Sequence, residues 1–209
     1  MNRVTLVLAG LGLVLAAVEV EAEPVQWRIE DGGNGHWYEP VKAGPEGISW
    51  SAAAAAATDV GGYLATITSL AENEFAFELV SNDLDYWFNS DNGFSIGPWL
   101  GGYQASGARE PSGDWRWVTH PDESFTTFTN WLPGQPNDSG LLNQQSLHFI
   151  GRGGDNPSSS WNDLNGITPE HPIRGYIVET IPEPSTLTLL TIGAVGLLAG
   201  GWWLANSSS

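Results

Sequence analysis

The chain is expected to fold as an α+β domain, two helices followed by small antiparallel sheets and a long loop region. Three observations predict this. Two segments in the first half, residues 49–57 and 69–80, join a capping residue to alanine-rich or apolar positions at helical spacing. Beyond Ser81 the segments become short and aromatic, and Gly, Pro, Asn and Asp interrupt them, as in small strands joined by loops. One stretch, residues 130–161, holds three prolines and many Gly, Asn and Ser residues. Loops of that length in a compact domain are usually functional or disordered.

Residues 23–35 are polar and glycine-rich and read as an irregular lead-in, and residues 36–41 as a first strand with Trp37 and Tyr38 supplying bulk. Ser49 or Ser51 caps a helix over residues 52–57, which Gly61-Gly62 stops. Residues 64–68 are a short extended piece. Ser69-Leu70-Ala71-Glu72 is a capping box that opens a second helix to about Val80, with Ala71, Phe75 and Leu79 predicted on one face. Trp99-Leu100-Gly101-Gly102-Tyr103 is an aromatic strand whose glycines let another backbone approach closely. Trp115-Arg116-Trp117 alternates like a hairpin strand after the Ser112-Gly113-Asp114 turn, and residues 147–150 and 175–179 are further strands.

The two ends are of a different character. Residues 1–22 carry one early basic residue, Arg3, an apolar run over 4–18 and a Val20-Glu21-Ala22 ending, the pattern of a signal peptide cut after Ala22. Residues 182–209 open with Pro182-Glu183-Pro184 and continue in an uncharged apolar run over 187–204, about the length of a membrane span. Trp202 and Trp203 stand at its far end, where interfacial aromatics are expected. This arrangement resembles the PEP-CTERM sorting tail, which implies membrane insertion through the C-terminal helix and processing by an exosortase-like enzyme. It departs from that pattern in lacking a basic cluster, since no Lys or Arg follows Arg174. What remains, residues 23–181, is one domain's length and large enough for a core.

Composition narrows the function classes. Seven basic residues against 24 acidic ones give a net charge of −17, so nothing would neutralise phosphates and nucleic acid is excluded as a partner. No cysteine is present, so an exported domain must be held by packing, hydrogen bonds and a bound ion where one exists.

Two triplets carry most of the functional content, Gln135-Pro136-Asn137 and Trp161-Asn162-Asp163. Each sets side-chain oxygens beside a residue that stiffens the backbone or offers an aromatic face. Oxygen donors converging from two distant segments suit a hard cation such as Ca²⁺, and the same oxygens can accept sugar hydroxyls.

In order and spacing these features resemble a C-type lectin-like domain over residues 36–179. The resemblance rests on the two capped helices, Trp99-Leu100-Gly101-Gly102, Asn130-Trp131 leading to the Gln-Pro-Asn triplet, Trp161-Asn162-Asp163, and the closing strand from Tyr176 to Glu179. It implies that the first and last strands pair to close the base while the long loop projects from the other end. It implies a cis bond at Gln135-Pro136. The missing cysteines resemble the disulfide-free bacterial members.

The resemblance also assigns a site. Calcium and carbohydrate ligands fall on Gln135, Asn137, Gln144, Asn162 and Asp163, with Asp138 close by. Gln144, in the Asn143-Gln144-Gln145 run, stands where lectin members usually place a glutamate. Asp163 is then the one charged ligand of the five, so calcium affinity should be low, on the order of 10⁻⁴ to 10⁻³ M. In the family Gln-Pro-Asp goes with galactose-type ligands and Glu-Pro-Asn with mannose-type; Gln-Pro-Asn is a hybrid. The expected partners are a glycan or extracellular polysaccharide, or a surface protein. The contrary reading keeps both triplets as architecture, with Trp161 filling the core and the Asx residues satisfying turn backbone.

No catalytic constellation is visible. His36, His120, His148 and His171 are scattered without a His-Glu-x-x-His pattern, and no Gly-x-Ser-x-Gly elbow occurs. Gly151-Arg152-Gly153-Gly154 lacks the lysine of a phosphate loop. Asp83, Asp85, Asp91 and Asp155 read as solvated loop charge. The expected protein is an exported, non-enzymatic lectin-like binding protein; the alternative is a structural or protein-binding module without ion or sugar.

Overall fold

The computed structural model describes residues 22–125, 128–139, 143–167 and 171–182. The expected signal peptide, as far as Glu21, and the expected sorting tail beyond Pro182 lie outside the described residues. Among the described residues no helix is long and apolar enough to cross a membrane.

A two-residue strand β1 (Val25–Gln26) sits within the segment expected to be irregular and pairs antiparallel with β2 (Trp37–Lys42). Helix α1 (Trp50–Asp59) follows, then β3 (Tyr63–Leu64) and α2 (Leu70–Ser81). The aromatic half contributes β4 (Phe88–Asn89), the long β5 (Phe94–Gln104), β6 (Trp115–Trp117), β7 (His120–Ser124), β8 (Ser146–Arg152), β9 (Ser160–Leu164) and β10 (Gly175–Thr180). Instead of separate small sheets, these strands form one connected system. Its main path runs β1-β2-β10-β5-β6-β7, with β8 on β5 and β9 on β8. One contact is parallel, Tyr176 beside Trp99, and the rest of the ladder is antiparallel.

The chain closes at its base as expected. β10 runs against β2 in continuous register from Gly175 opposite Lys42 to Thr180 opposite Trp37. β5 stands between β10 and β8, with Trp99 beside both Tyr176 and His148, and β9 pairs with β8.

Both helices begin where capping chemistry puts them. The Ser49 hydroxyl accepts from the Ala52 N–H at 3.2 Å, so α1 starts at Trp50, ahead of the alanine run. Gly61, at φ 83°, ends it, and its neighbour Gly62 donates to Ala57 O. In α2 the capping box is only half reciprocal. Ser69 Oγ accepts from Glu72 N at 3.2 Å, but the Glu72 carboxylate turns to Thr68, taking its N–H at 2.6 Å and its hydroxyl at 2.8 Å.

The predicted inner face of α2 needs correction. Ala71 is exposed and Phe75 and Leu79 are half-buried, whereas Glu72, Asn73, Ala76 and Val80 face inward. Two polar residues occupy that stripe because each is fully partnered. Asn73 bridges Ser159 O and Trp161 Nε1, and Glu72 binds Tyr38 as well as Thr68.

The core has two parts. Tyr38, Ile67, Trp87, Leu100, Trp115, Trp117, Phe149 and Trp161 pack beneath α2, and Trp99, Leu64, Ile173 and Val178 pack beneath α1. Of the tryptophans expected inside, Trp99, Trp115, Trp117 and Trp161 are buried, and Trp131 is partly buried against them. The seam depends on Gly101, where a Cβ would stand 2.3 Å from Leu64 O. Gly101→Ala should therefore lower stability by about 1–3 kcal/mol or more, because backbone meets backbone and no side chain can yield. Urea unfolding of the variant beside the wild type checks this.

Candidate functional site

The site is assembled where residues 131–139 lie along β9. Trp131 and Trp161 form a parallel bridge, the Trp161 N–H donates to Asn130 O at 2.8 Å, and the Leu132 N–H donates to Trp161 O at 2.9 Å. Gln135 N then bonds back to Leu132 O, closing a turn that leads into a cis Gln135–Pro136 peptide. The chain emerges facing Asp163. One carboxylate oxygen of Asp163, Oδ2, accepts the N–H of Asn137 at 2.9 Å and of Asp138 at 2.7 Å. The two triplets are thus joined by their own hydrogen bonds.

A second layer fixes the loop. Asp138 takes a left-handed conformation (φ 46°), which Asp tolerates, and its Oδ1 accepts the Gln144 N–H at 2.8 Å. The Ser139 N–H is shared between Asn137 Oδ1 at 2.9 Å and Gln144 Oε1 at 2.8 Å, drawing those side chains together. Each of those amide oxygens keeps a lone pair. Ser139 carried no sequence signal, since it acts through its backbone.

Two oxygens stand out. Gln135 Oε1 and Asp163 Oδ1 are both buried and without a hydrogen-bond partner. A buried acceptor left unpaired costs about 1–3 kcal/mol, more when charged. Burial is also the main influence on the Asp163 carboxyl and holds it above the usual carboxylate range. The Asp138 and Asn137 N–H groups work against that rise, and the Asp138 charge adds a little to it.

Asn162 is placed differently. Its side chain faces β8, where Nδ2 donates to His148 Nε2 at 3.0 Å and to Asp163 O at 2.6 Å. His148 is wholly buried, opposite Asn162 in the ladder and edge-on to Trp99. Burial pushes its imidazole down to about 3, so the ring is neutral at ordinary pH. The structure therefore gathers Asn137, Gln144 and Asp163, with Asp138, into one hydrogen-bonded group. Gln135 enters through the same turn, and Asn162 borders the group from the next position of β9.

The donor set suits a hard cation. It is entirely oxygen, mostly amide, and two of its buried oxygens lack partners. Among the described residues no cluster of three His, Cys, Asp or Glu side chains could hold a metal. Three of the other aspartates are engaged elsewhere: Lys42 Nζ reaches Asp83 at 2.7 Å and Asp85 at 3.1 Å, and Asn89 donates to Asp155.

Comparison with known proteins follows the same lines. No family model matches the chain. It is 30% identical over 133 residues to a perlucin-like protein of Mytilus galloprovincialis, across 64% of this chain and 70% of that protein. It is 28% identical over 152 residues to human C-type lectin domain family 10 member A, spanning 71% of this chain but only 38% of that longer protein. Among solved structures, human lithostathine superposes with a TM-score of 0.50 at 14% identity, covering 83% of this chain and 97% of that one. That last likeness concerns the fold alone.

Proposed function

This chain belongs to the C-type lectin-like domain family, and we propose that it is a carbohydrate-binding module whose site is completed by a weakly held calcium ion. The observation that carries the reading is the pair of buried, unpartnered oxygens, Gln135 Oε1 and Asp163 Oδ1, on the two triplets. An oxygen-seeking cation removes both penalties at once. Gln135, Asn137, Gln144, Asn162 and Asp163 would hold it. The bound ion supplies a point of positive charge to which sugar hydroxyl oxygens can add. Asn137 is exposed and Gln144 half-exposed, so their remaining lone pairs face a glycan approaching from solvent. With few carboxylates, occupancy depends on millimolar calcium outside the cell.

Delivery is read from the ends of the chain. Residues 1–22 act as an export signal, residues 23–181 form the binding domain, and residues 182–209 hold the protein at the envelope until an exosortase-like enzyme releases it. Mass spectrometry of the mature protein should find Glu23 first and nothing after Pro184. The role is binding, with no catalytic step.

The decisive experiment is a glycan array with and without chelator, beside a melting curve in millimolar calcium. Calcium should raise the melting temperature and slow amide exchange over residues 130–161. Asp163→Ala should abolish calcium-dependent glycan retention. A chain that ignores calcium in both assays and retains no glycan is a structural or protein-binding module instead. The hydrogen bonds by which Asp163, Asn137, Asp138 and Gln144 already satisfy loop backbone are what favour that second reading.

A further inference from the structure

We infer that His148 is a positioning residue for the site, fixing the Asn162 amide so that its carbonyl oxygen is the end offered to a ligand. This rests on the calcium reading above.

The argument is one of donors and acceptors. His148 Nδ1 lies 2.6 Å from Phe149 O, and a carbonyl oxygen can only accept, so Nδ1 carries the proton. The ring is wholly buried with no carboxylate among its hydrogen-bond partners, so it holds that one proton, and Nε2 is then a bare lone pair that requires a donor. The group 3.0 Å away is the Asn162 amide, which must present Nδ2. The second Nδ2 hydrogen is consumed by Asp163 O at 2.6 Å. Both donors of the amide are spent, and Oδ1 alone is left for a ligand. Turning the amide over would set Oδ1 against the lone pairs of His148 Nε2 and of Asp163 O together. The constraint starts from Phe149 O, passes through a buried ring pinned against Trp99, and ends on a side chain of the site. A leucine of similar bulk would fill the space and remove the instruction.

The test uses the full chain as wild type, His148→Leu and His148→Gln, because Gln can donate to Phe149 O and accept from Asn162 as the imidazole does. Without calcium, ¹⁵N NMR of the wild type should show the Nδ1–H tautomer of His148 and a coupling across the hydrogen bond to Asn162 Nδ2. Calcium titration should then give a dissociation constant raised about tenfold or more in the Leu variant and close to wild type in the Gln variant, as for other residues that orient a metal ligand. An Nε2–H tautomer, a missing coupling, or a Leu variant that binds calcium like the wild type overturns the positioning role. A wild type that shows the coupling but binds no calcium overturns the calcium reading, and the ligand-aiming role with it, while the His148–Asn162 bond stands.

Discussion

Glu179→Leu is expected to lower stability by about 3–5 kcal/mol, because it removes one member of a buried polar network and strands the others. Glu179, on β10, is about 2% exposed, with His36, Thr66 and Tyr38 among the groups around its carboxylate. His36 Nδ1 donates to Oε1 at 2.6 Å, the Thr66 N–H donates to Oε2 at 2.8 Å, and Tyr38 Oη lies 3.2 Å from Oε1. Tyr38 donates at 2.6 Å to Glu72 Oε1, which also accepts from Asn34. The cluster ties α2 to β2 and β10 at the closed base. Leucine matches the volume but leaves the Thr66 N–H and the His36 ring without acceptors.

The milder Glu179→Gln separates charge from hydrogen bonding. Its carbonyl oxygen can keep the Thr66 bond, and its NH₂ can donate to His36 in the other tautomer. Burial, the largest influence, raises the Glu179 carboxyl above its ordinary value. The His36 and Thr66 bonds act against that rise, and the neighbouring Glu72 adds to it. A folded-state value above the unfolded one means that the native state binds the proton more readily. The associated stability is thus present below about pH 4.5 and is lost as pH rises through the folded value. Each unit of separation is worth about 1.4 kcal/mol. Urea midpoints between pH 4 and 8 should show the wild type losing ground to the Gln variant as pH rises. Parallel curves would mean that the carboxylate ionises as freely as in the unfolded chain.

This network was also the least legible part of the sequence. Glu72 announced itself only as the fourth residue of a capping box, and Glu179 only as the end of an apolar strand. Periodicity ranks hydrophobic positions, so it put Ala71 on the inner face of α2 and passed over Glu72 and Asn73, whose burial depends on partners up to 88 positions ahead or 38 behind. Capping, by contrast, is local chemistry, and Ser49 and Ser69 could be read directly. The closure of β2 on β10 came from the order of the motifs. At the site, the residue types of both triplets were legible, and so was their convergence. The bonds that set their geometry were not, because they run through the N–H groups of Asn137, Asp138 and Ser139, which have no side-chain signature. His148 belongs with these: nothing in the strand's pattern marks it as buried, and its tautomer follows from an acceptor, Phe149 O, that pattern alone cannot supply.

Trp161→Ala should be the most damaging change to the loop itself. The ring is fully buried and meets Trp117, Phe125, Phe128 and Trp131 edge-on, with centroids 5.4–6.2 Å away. Its Nε1–H donates to Asn73 Oδ1 at 2.7 Å, joining β9 to α2. Truncation opens a cavity costing about 3–5 kcal/mol, and the orphaned Asn73 oxygen adds about 1–3 kcal/mol. Trp161→Phe keeps most of the packing and loses the hydrogen bond, so it should fall near the smaller figure. The two variants also part the roles of ring and backbone. The bonds from Trp161 N to Asn130 O and from Leu132 N to Trp161 O survive either substitution chemically, yet they are held in register by aromatic rings on both sides of the bridge. If the rings hold the loop, amide exchange at Leu132, Gln135 and Asn137 in Trp161→Ala should speed up beyond what the global loss of stability accounts for, and Trp161→Phe should restore it. Exchange that tracks global unfolding alone would mean that the Asp163 carboxylate, gripping Asn137 and Asp138, is sufficient to hold the loop, and that the tryptophan of the second triplet serves the core and not the site.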